Sequence, residues 1–167
     1  MGEGQIGCKA LWRIISTMSH RETPLPHPTL RIAEPADASE IARLNALFND
    51  VHQPPEFYAA RMGEAQRADT PILAEIDGCV VGMVNLRLVK QVFYPEPYAE
   101  LTELFVEEAY RRRGVARALI ESAEELARAA GAPEMLILTD FYNHPAQMLY
   151  GALGYVHHDI VVSKKLS

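Results

Sequence analysis

Hydrophobic positions recur along this chain at two spacings, which predict strands in some segments and helices in others. Short runs of apolar, often β-branched residues predict strands, and these are residues 30–33, 71–76, 79–89, 101–106, 135–139 and, as one or two closing strands, 155–166. Apolar residues three or four positions apart predict helices, and these are residues 37–49, 56–68, 116–130 and 143–153. The predicted order is βααβββαβαβ.

Polar residues and glycines mark the ends of several of these elements. Asp37 is expected to cap the first helix, with Glu40 at the third position after it. The pair Asp77-Gly78 predicts a two-residue hairpin turn. Consecutive strands joined by local turns imply an antiparallel part of a sheet, whereas strand–helix–strand units imply a parallel part. We therefore expect an α/β (α+β) fold with a mixed sheet.

Residues 101–131 contain a strand, a basic turn and a helix in immediate succession. The first N–H groups of a helix have no partner inside the helix, and the helix dipole adds partial positive charge there. Gly114 has no Cβ to keep a ligand away from the backbone, and Arg111, Arg112 and Arg113 add full charges. The segment therefore predicts a site for a phosphate or a pyrophosphate.

The order of residues in this basic turn resembles a known family. Arg111-x-x-Gly114-x-Ala116, placed between a strand and a helix, is similar to the pyrophosphate loop of the GNAT superfamily, the acyl-CoA-dependent N-acyltransferases. A short motif of this kind is a weak indication by itself, because arginines at a helix start also occur in ordinary solvated turns.

A second motif makes the resemblance more specific. Asn143-x-x-Ala146-x-x-x-Tyr150, followed by Gly154-Tyr155, looks like the signature of the family's last main helix. The resemblance covers residues 30–166, and the predicted order of elements is similar to that of the family. It implies a mixed central sheet with an antiparallel N-terminal part, parallel splayed strands and helices on both faces.

Cofactor binding is the first property that the resemblance implies. Acetyl-CoA would lie in a V-shaped opening between the strands at 101–106 and 135–139, and coenzyme A would be the product. The implied cofactor-binding residues are Leu104, Phe105, Val106, Arg111, Arg112, Arg113, Gly114, Val115, Ala116, Asn143 and Ala146. Backbone groups of Leu104 and Val106 would pair with the thioester carbonyl and the pantetheine arm. The alternative role of Asn143 is that of a helix N-cap alone.

Three residues are candidates for the catalytic proton transfers. Tyr150 stands where the family often carries a general acid, and its alternative role is that of a core tyrosine. Glu100 and Glu103 are the candidate general bases. Alternation along the strand predicts that they point to opposite faces, with Glu103 on the face of Leu101 and Phe105. A relay through ordered water, with both carboxylates exposed or in ion pairs, is the alternative.

The amine acceptor is expected to bind where the chain is least regular, because loops on a rigid sheet commonly carry specificity. The residues concerned are Val51, His52, Gln53, Glu56, Phe57, Phe93, Tyr94, Glu96 and Tyr98. Ordinary loop packing is the alternative for each of them. Residue spacing predicts no metal site, because His157 and His158 are neighbours on a predicted strand, where side chains diverge.

Composition narrows the class of protein. The net charge of −6 argues against a nucleic-acid-binding protein, which normally has a basic excess. Cys8 and Cys79 are too few for a disulfide framework, and no apolar run is long enough to cross a membrane. We therefore expect a cytoplasmic protein without a membrane partner. Its 167 residues are expected to hold one domain, 29–167, after an N-terminal extension, 1–28, for which Met18 is an alternative start.

The resemblance implies an N-acetyltransferase that transfers an acetyl group from acetyl-CoA to a primary amine by direct attack. A small-molecule amine is favoured over a protein, and a homodimer is compatible with the family. The alternative is a non-catalytic acyl-CoA-binding or regulatory module that keeps the fold.

Overall fold

The computed structural model describes residues 27–65, 67–157 and 161–166. Contacts divide the chain into two compact units, Met1–Leu136 and Ile137–Ser167, which are described separately. The strands are β1 (Thr29–Ile32), β2 (Asp69–Ile76), β3 (Cys79–Val89), β4 (Tyr98–Val106) and β5 (Leu136–Ile137). The α-helices are α1 (Ala38–Asn49), α2 (Pro55–Met62), α3 (Val115–Ala129) and α4 (His144–Ala152). Almost all of the predicted extension, 1–28, lies outside the described residues.

The strands form one sheet in the order β1-β2-β3-β4-β5. The first three pairs of neighbours are antiparallel. Ile76 pairs with Cys79, so Asp77 and Gly78 form the two-residue turn that the sequence predicts. The antiparallel N-terminal part of the sheet is therefore confirmed.

Helices cover both faces of the sheet in the first unit. Leu73 and Met83 belong to a buried cluster with residues from α1 and α2, including Leu44 and Met62. Their neighbours along the strands point to the opposite face, where α3 packs against β2, β3 and β4. The buried residues of α3 are Val115, Leu119, Ile120, Ala123 and Ala127. We call the α1–α2 side the front face.

A bulge in β4 changes which side chains share the front face. Asn85 pairs with Glu103 and Leu86 pairs with Leu101, so Thr102 has no partner in the register. A bulge of this kind places two residues of one strand opposite one residue of the other. The Asn85 amide donates to the Thr102 hydroxyl at 2.8 Å, which shows that Thr102 shares the face of Asn85 and of its partner Glu103.

The predicted orientation of the two glutamates is therefore wrong. Arg87 pairs with Glu100 across the same two strands, and its guanidinium lies 3.9 Å from the Glu100 carboxylate. Arg87 and Asn85 are two positions apart on β3 and both contact Asp69, so they share a face. Glu100 and Glu103 consequently both lie on the front face, because the extra residue at Thr102 resets the alternation.

Two element boundaries in the first unit differ from the prediction. Helix α2 ends at Met62 and not near residue 68, because Gly63 caps it through hydrogen bonds from its N–H to Ala59 and Ala60 carbonyls. Asp37 precedes α1 as expected, but its side chain makes no capping bond to that helix. Its carboxylate instead accepts from the Glu34 N–H at 2.8 Å, which caps the preceding 3₁₀ turn, and from the Arg31 guanidinium at 2.7 Å.

The end of the chain holds less strand than predicted. The predicted strand 135–139 is reduced to the two half-buried residues of β5. None of the described residues among 155–166 forms a strand, and residues 158–160 lie outside the described part. A strand forms only where a neighbouring strand completes its backbone hydrogen bonds. The apolar pattern of these segments does not show whether such a neighbour is present. In the second unit, α4 begins after Asn143, whose side chain caps it as predicted.

Candidate functional site

The basic turn before α3 keeps the N-terminus of that helix open. Gly114 precedes α3 with φ 81°, and no side chain caps the helix. The first intrahelical bond runs from the Ala118 N–H to the Gly114 carbonyl, so the amides of residues 115–117 have no acceptor within the helix. A Cβ placed on Gly114 would meet no protein atom within 4 Å. The first turn also lacks an acidic residue, so positive potential faces open space.

The three arginines of the turn have different surroundings. Arg111 donates from Nε to the Val106 carbonyl at 2.9 Å, and its guanidinium carbon lies 5.9 Å from the Phe105 ring centre. The Arg113 guanidinium lies over the Tyr110 ring at 5.6 Å. Arg112 is exposed and has a left-handed φ of 63°. Arg111 therefore fastens the turn to the end of β4, while the turn presents Arg112 to solvent.

Backbone directions in β4 follow from two contacts with β3. The Glu107 N–H donates to the Val81 carbonyl at 2.9 Å, and the Phe105 carbonyl lies 2.8 Å from where a Cβ on Gly82 would stand. Backbone groups of successive residues alternate between the two sides of a strand. Leu104 and Val106 therefore direct their N–H and C=O groups away from β3, as cofactor pairing would require. The Val106 carbonyl already accepts from Arg111.

A cavity of about 420 Å³ opens on the front face of the first unit, between the sheet and the helices α1 and α2. Its polar and aromatic lining consists of Asn45, Phe57, Tyr58, Arg61, Glu64, Arg67, Asp69, Asn85, Arg87, Thr102 and Glu103. Of the residues expected to bind the acceptor, Phe57 lines this cavity and the other eight do not. The sequence pattern did not indicate the lining residues Asp69, Asn85, Arg87 and Thr102, because the pairing of the strands decides that they share one face of the sheet.

Hydrogen bonds organise one wall of this cavity. The Asn85 amide donates to Asp69 at 3.0 Å and to the Thr102 hydroxyl at 2.8 Å. Because a carboxylate can only accept, the Asn85 nitrogen must face Asp69. Its oxygen is buried and has no hydrogen-bond partner among the described residues. The Asp69 carboxylate also accepts from Arg87 at 2.8 Å, and this bond raises the pKa of the Arg87 guanidinium.

The two candidate bases have different surroundings. Glu103 lines the cavity and accepts a hydrogen bond of 3.1 Å from the Asn49 amide at the end of α1. Glu100 does not line the cavity, its side chain is only 14% exposed, and it is paired with Arg87. Glu103 is therefore the carboxylate that a molecule in the cavity would meet.

Arg43 is a residue of this region that sequence reasoning missed. Its guanidinium donates to Glu107 at 2.6 Å, to the Val80 carbonyl at 2.7 Å and to Glu40 at 2.9 Å. Glu107 immediately precedes the short 3₁₀ turn that leads into the basic loop. Arg43 therefore ties α1 to the start of that loop. An arginine on an amphipathic helix gave no indication of this role.

The second unit carries the remaining predicted site residues. Asn143 accepts from the Ala146 N–H at 3.3 Å, so the cap and the motif coincide. Tyr150 lies on α4, half-buried, with its ring centre 6.0 Å from that of Tyr155. Burial raises the pKa of the Tyr150 phenol above its ordinary value. The phenol is therefore neutral at physiological pH and holds a proton that it can donate.

The mixed sheet and the basic turn before α3 are typical of the acyltransferase class that the two sequence motifs indicated. Comparison with known sequences identifies the family. The sequence profile of the acetyltransferase (GNAT) family matches residues 38–155. The chain belongs to this family, as the two motifs indicated.

Three curated relatives are similar over part of their length. Human N-acetyltransferase 8 is 34% identical over 83 residues, which are 50% of this chain and 37% of that protein. The rat N-acetyltransferase family 8 member 3 is 27% identical over 70% of this chain and 56% of its own. The D-amino-acid N-acetyltransferase HPA3 of Saccharomyces cerevisiae is 38% identical over 38% of this chain and 39% of its own. The chain thus spans roughly 37 to 56% of these relatives.

Solved structures share the fold at low sequence identity. An aminoglycoside acetyltransferase from an uncultured soil metagenomic sample has a TM-score of 0.74 at 16% identity, over 84% of this chain and 96% of its own. The aminoglycoside N-acetyltransferase AAC(6')-Iy with a bisubstrate analogue has a TM-score of 0.75 at 21% identity, over 85% and 99%. The ribosomal-protein-alanine N-acetyltransferase of Brucella melitensis has a TM-score of 0.71 at 19% identity, over 83% and 99%. These likenesses confirm the fold.

In the described part of the chain, no helix is both long and apolar enough to span a membrane. Histidine, cysteine, aspartate and glutamate side chains form no group of three or more that could hold a metal ion within the same residues.

Proposed function

We propose that this protein is an N-acetyltransferase that moves an acetyl group from acetyl-CoA to a primary amine by direct attack. The open N-terminus of α3 is the observation that carries the proposal. Membership of the GNAT family supports the assignment of that site to a CoA pyrophosphate. The same proposal includes a cytoplasmic location and a single domain over residues 29–167, and it is compatible with a homodimer.

The residues of the basic turn fit the cofactor. Three helix amides without intrahelical acceptors, the open space beside Gly114 and the neighbouring arginines suit a doubly charged pyrophosphate. The outward-facing backbone groups of Leu104 and Val106 suit the pantetheine amides. In the second unit, Asn143 and Ala146 are proposed separately as cofactor-binding residues.

Glu103 is the proposed general base, acting directly or through one water. When bound, acetyl-CoA supplies the thioester carbonyl carbon that the amine nitrogen attacks. Glu103 lines the cavity in which we place the amine and takes the proton that the nitrogen must lose. Glu100 instead forms an ion pair with Arg87, which also forms an ion pair with Asp69. We therefore assign Glu100 a positioning role.

Tyr150 is the proposed general acid. As the bond between carbon and sulfur breaks, its hydroxyl donates a proton to the departing sulfur, and free CoA thiol leaves. The phenoxide that remains regains a proton from solvent before the next turnover. The raised pKa of the phenol supports this role, because the proton is present throughout the physiological range.

The size of the cavity favours a small acceptor. A volume of about 420 Å³ accommodates a small molecule, which is the usual range for ligand pockets. Among the relatives and neighbours, two names state small acceptors, D-amino acids and aminoglycosides, and one states a protein, ribosomal-protein alanine. The cavity volume is therefore the observation that favours a small-molecule amine over a protein substrate.

Release of free thiol from acetyl-CoA in the presence of an amine library tests this function. We expect at least one amine to increase thiol release well above the background hydrolysis, and Glu103→Gln to lower that rate about 10²-fold. The control is Glu121→Gln, on the exposed side of α3 and 3.5 Å from Arg117. Tight CoA binding without any amine-dependent release would instead establish a non-catalytic acyl-CoA-binding module.

A further inference from the structure

The charged groups around the front-face cavity do not all neutralise one another. Three arginines and three acidic residues line it. Arg87 is paired with Asp69 at 2.8 Å, and Arg61 is paired with Glu64 at 3.5 Å. One cation and one anion, Arg67 and Glu103, are left without an ion pair in the described part of the chain.

Arg67 and Glu103 are held in place by neutral groups. Arg67 donates from Nε to the Asp69 carbonyl at 3.1 Å, which leaves its terminal N–H groups directed elsewhere. Among the described residues, Glu103 accepts a hydrogen bond from the Asn49 amide alone, at 3.1 Å, and it interacts with the Arg87 charge beyond ion-pair distance. Both side chains are therefore oriented without a direct ion pair, which is the arrangement that a zwitterionic ligand requires.

The two unpaired charges differ in depth. Arg67 is exposed, as are its neighbours at the mouth, Arg61 and Glu64. Glu103 is half-buried beside Thr102 and Asn85 on the strand wall. If the amine of a ligand faces Glu103, the rest of that ligand extends towards the mouth of the cavity. The charge without an ion pair at the mouth is the positive charge of Arg67.

We propose that the acceptor is an aminocarboxylate, such as an amino acid, whose amine faces Glu103 and whose carboxylate pairs with Arg67. This inference rests on the proposed function and specifies the substrate class of the same site. A polycationic amine fits the cavity less well, because two of the three acidic groups are already paired with Arg87 and Arg61. A carboxylate also suits the planar guanidinium, which can bind both of its oxygens at once.

Matched substrates test the proposal. Each amino acid is compared with its carboxamide, which keeps the size and removes the negative charge. For the wild-type protein we expect kcat/KM to favour the free acid over the carboxamide, and Arg67→Gln to reduce that ratio about three- to tenfold. The readout is the change in this acid-to-carboxamide ratio between the wild type and Arg67→Gln. The two amines differ in basicity, but this difference is the same for both proteins and cancels.

Two controls separate this effect from general damage. Arg128→Gln, which removes an exposed guanidinium 3.7 Å from Glu124 on α3, should leave the ratio unchanged. Glu103→Gln should lower kcat/KM for acid and carboxamide alike, because both carry the amine. Quaternary ammonium analogues cannot be acetylated, so the inhibition constants of their acid and amide forms should show the same Arg67 dependence without turnover.

The outcomes distinguish the two proposals. An unchanged acid-to-amide ratio in Arg67→Gln, or a wild-type preference for amines that lack a carboxylate, would overturn the aminocarboxylate assignment while leaving the transferase intact. An absence of amine-dependent thiol release with every amine would instead overturn the proposed function.

Discussion

The Asn85 amide donates a hydrogen bond of 2.8 Å to the hydroxyl of Thr102, the one residue of β4 that has no partner in the register with β3. This bond lies where the strand accommodates an extra residue, and it stabilises the bulge from the neighbouring strand. Because of the bulge, Thr102 and Glu100 lie on the same face of the sheet as Glu103. The hydrogen bond therefore lies directly beside the proposed catalytic carboxylate.

Substitution of Thr102 tests that relationship. Thr102→Val keeps the shape of the side chain and leaves the Asn85 N–H without its acceptor, which should cost about 1 kcal/mol of unfolding free energy. It should also lower kcat/KM, because Glu103 is no longer held at the bulge. Thr102→Ser retains the hydroxyl and is the matched control. Denaturant unfolding and steady-state kinetics give the two readouts, and equal activity in both variants would separate the bulge from catalysis.

The two glycines that flank α3 offer a matched pair for the cofactor loop. Gly114 and Gly131 have φ values of 81° and 85°, and a Cβ on either would meet nothing within 4 Å. Alanine at either position should destabilise the fold by about 1 kcal/mol, because both require a left-handed backbone. Only Gly114→Ala should weaken CoA binding, measured by calorimetry, since its methyl group would occupy the space assigned to the pyrophosphate. Equal CoA affinity in the two variants would contradict that assignment.

Tyr150→Phe should lower kcat about 10²-fold and leave the affinity for CoA nearly unchanged, because the phenol acts only when sulfur departs. Tyr142→Phe removes an exposed hydroxyl from the same unit and is the control. An unaltered kcat in Tyr150→Phe would remove Tyr150 as the acid.

The pH dependence of the wild-type protein gives an independent check on Tyr150. Burial raises the pKa of its phenol, so the acid form persists at least up to the ordinary tyrosine value of about 10. The midpoint of any alkaline decline from this group, in the rate at saturating substrate, should therefore lie above the ordinary tyrosine pKa of about 10. A decline with a midpoint at a lower pH, seen in the wild type but not in Tyr150→Phe, would contradict the raised pKa of Tyr150.

Acid stability should depend on Asp37. The Arg31 guanidinium, 2.7 Å from its carboxylate, holds the pKa of Asp37 below its ordinary value. A carboxyl whose pKa is lowered by folding stabilises the protein above its unfolded pKa of about 3.9, and this contribution is lost as the pH falls through the folded value. Asp37→Asn should therefore reduce the unfolding free energy by about 1–2 kcal/mol at pH 7 and by a smaller amount near pH 3, which lies below the unfolded pKa. Urea unfolding at both pH values measures the difference, with Asp50→Asn, at a 95% exposed side chain, as the control.

Short-range patterns were enough for several features of the fold. The hairpin at Asp77 and Gly78, the extent of α1 and the cap at Asn143 all depend on neighbours in sequence, and all were predicted. The predicted end of α2, near residue 68, lies beyond the observed end at Met62, because the apolar positions on the helix do not show that it stops at Gly63. The sequence predicts that Asp37 caps α1, whereas its carboxylate binds Arg31 of β1 and the Glu34 N–H.

The sequence by itself determined the family, the basic turn proposed to bind an anion before α3, and the candidates for proton transfer, because those depend on residue type and local spacing. Only the tertiary structure decided which face Glu103 and Glu100 share, since a bulge arises from pairing between strands. It also decided which residues line the cavity and which charges there lack partners. The proposed cofactor site consists largely of residues close together in sequence, whereas the cavity proposed for the acceptor is lined by residues from α1, α2 and three strands, which meet only in the folded chain.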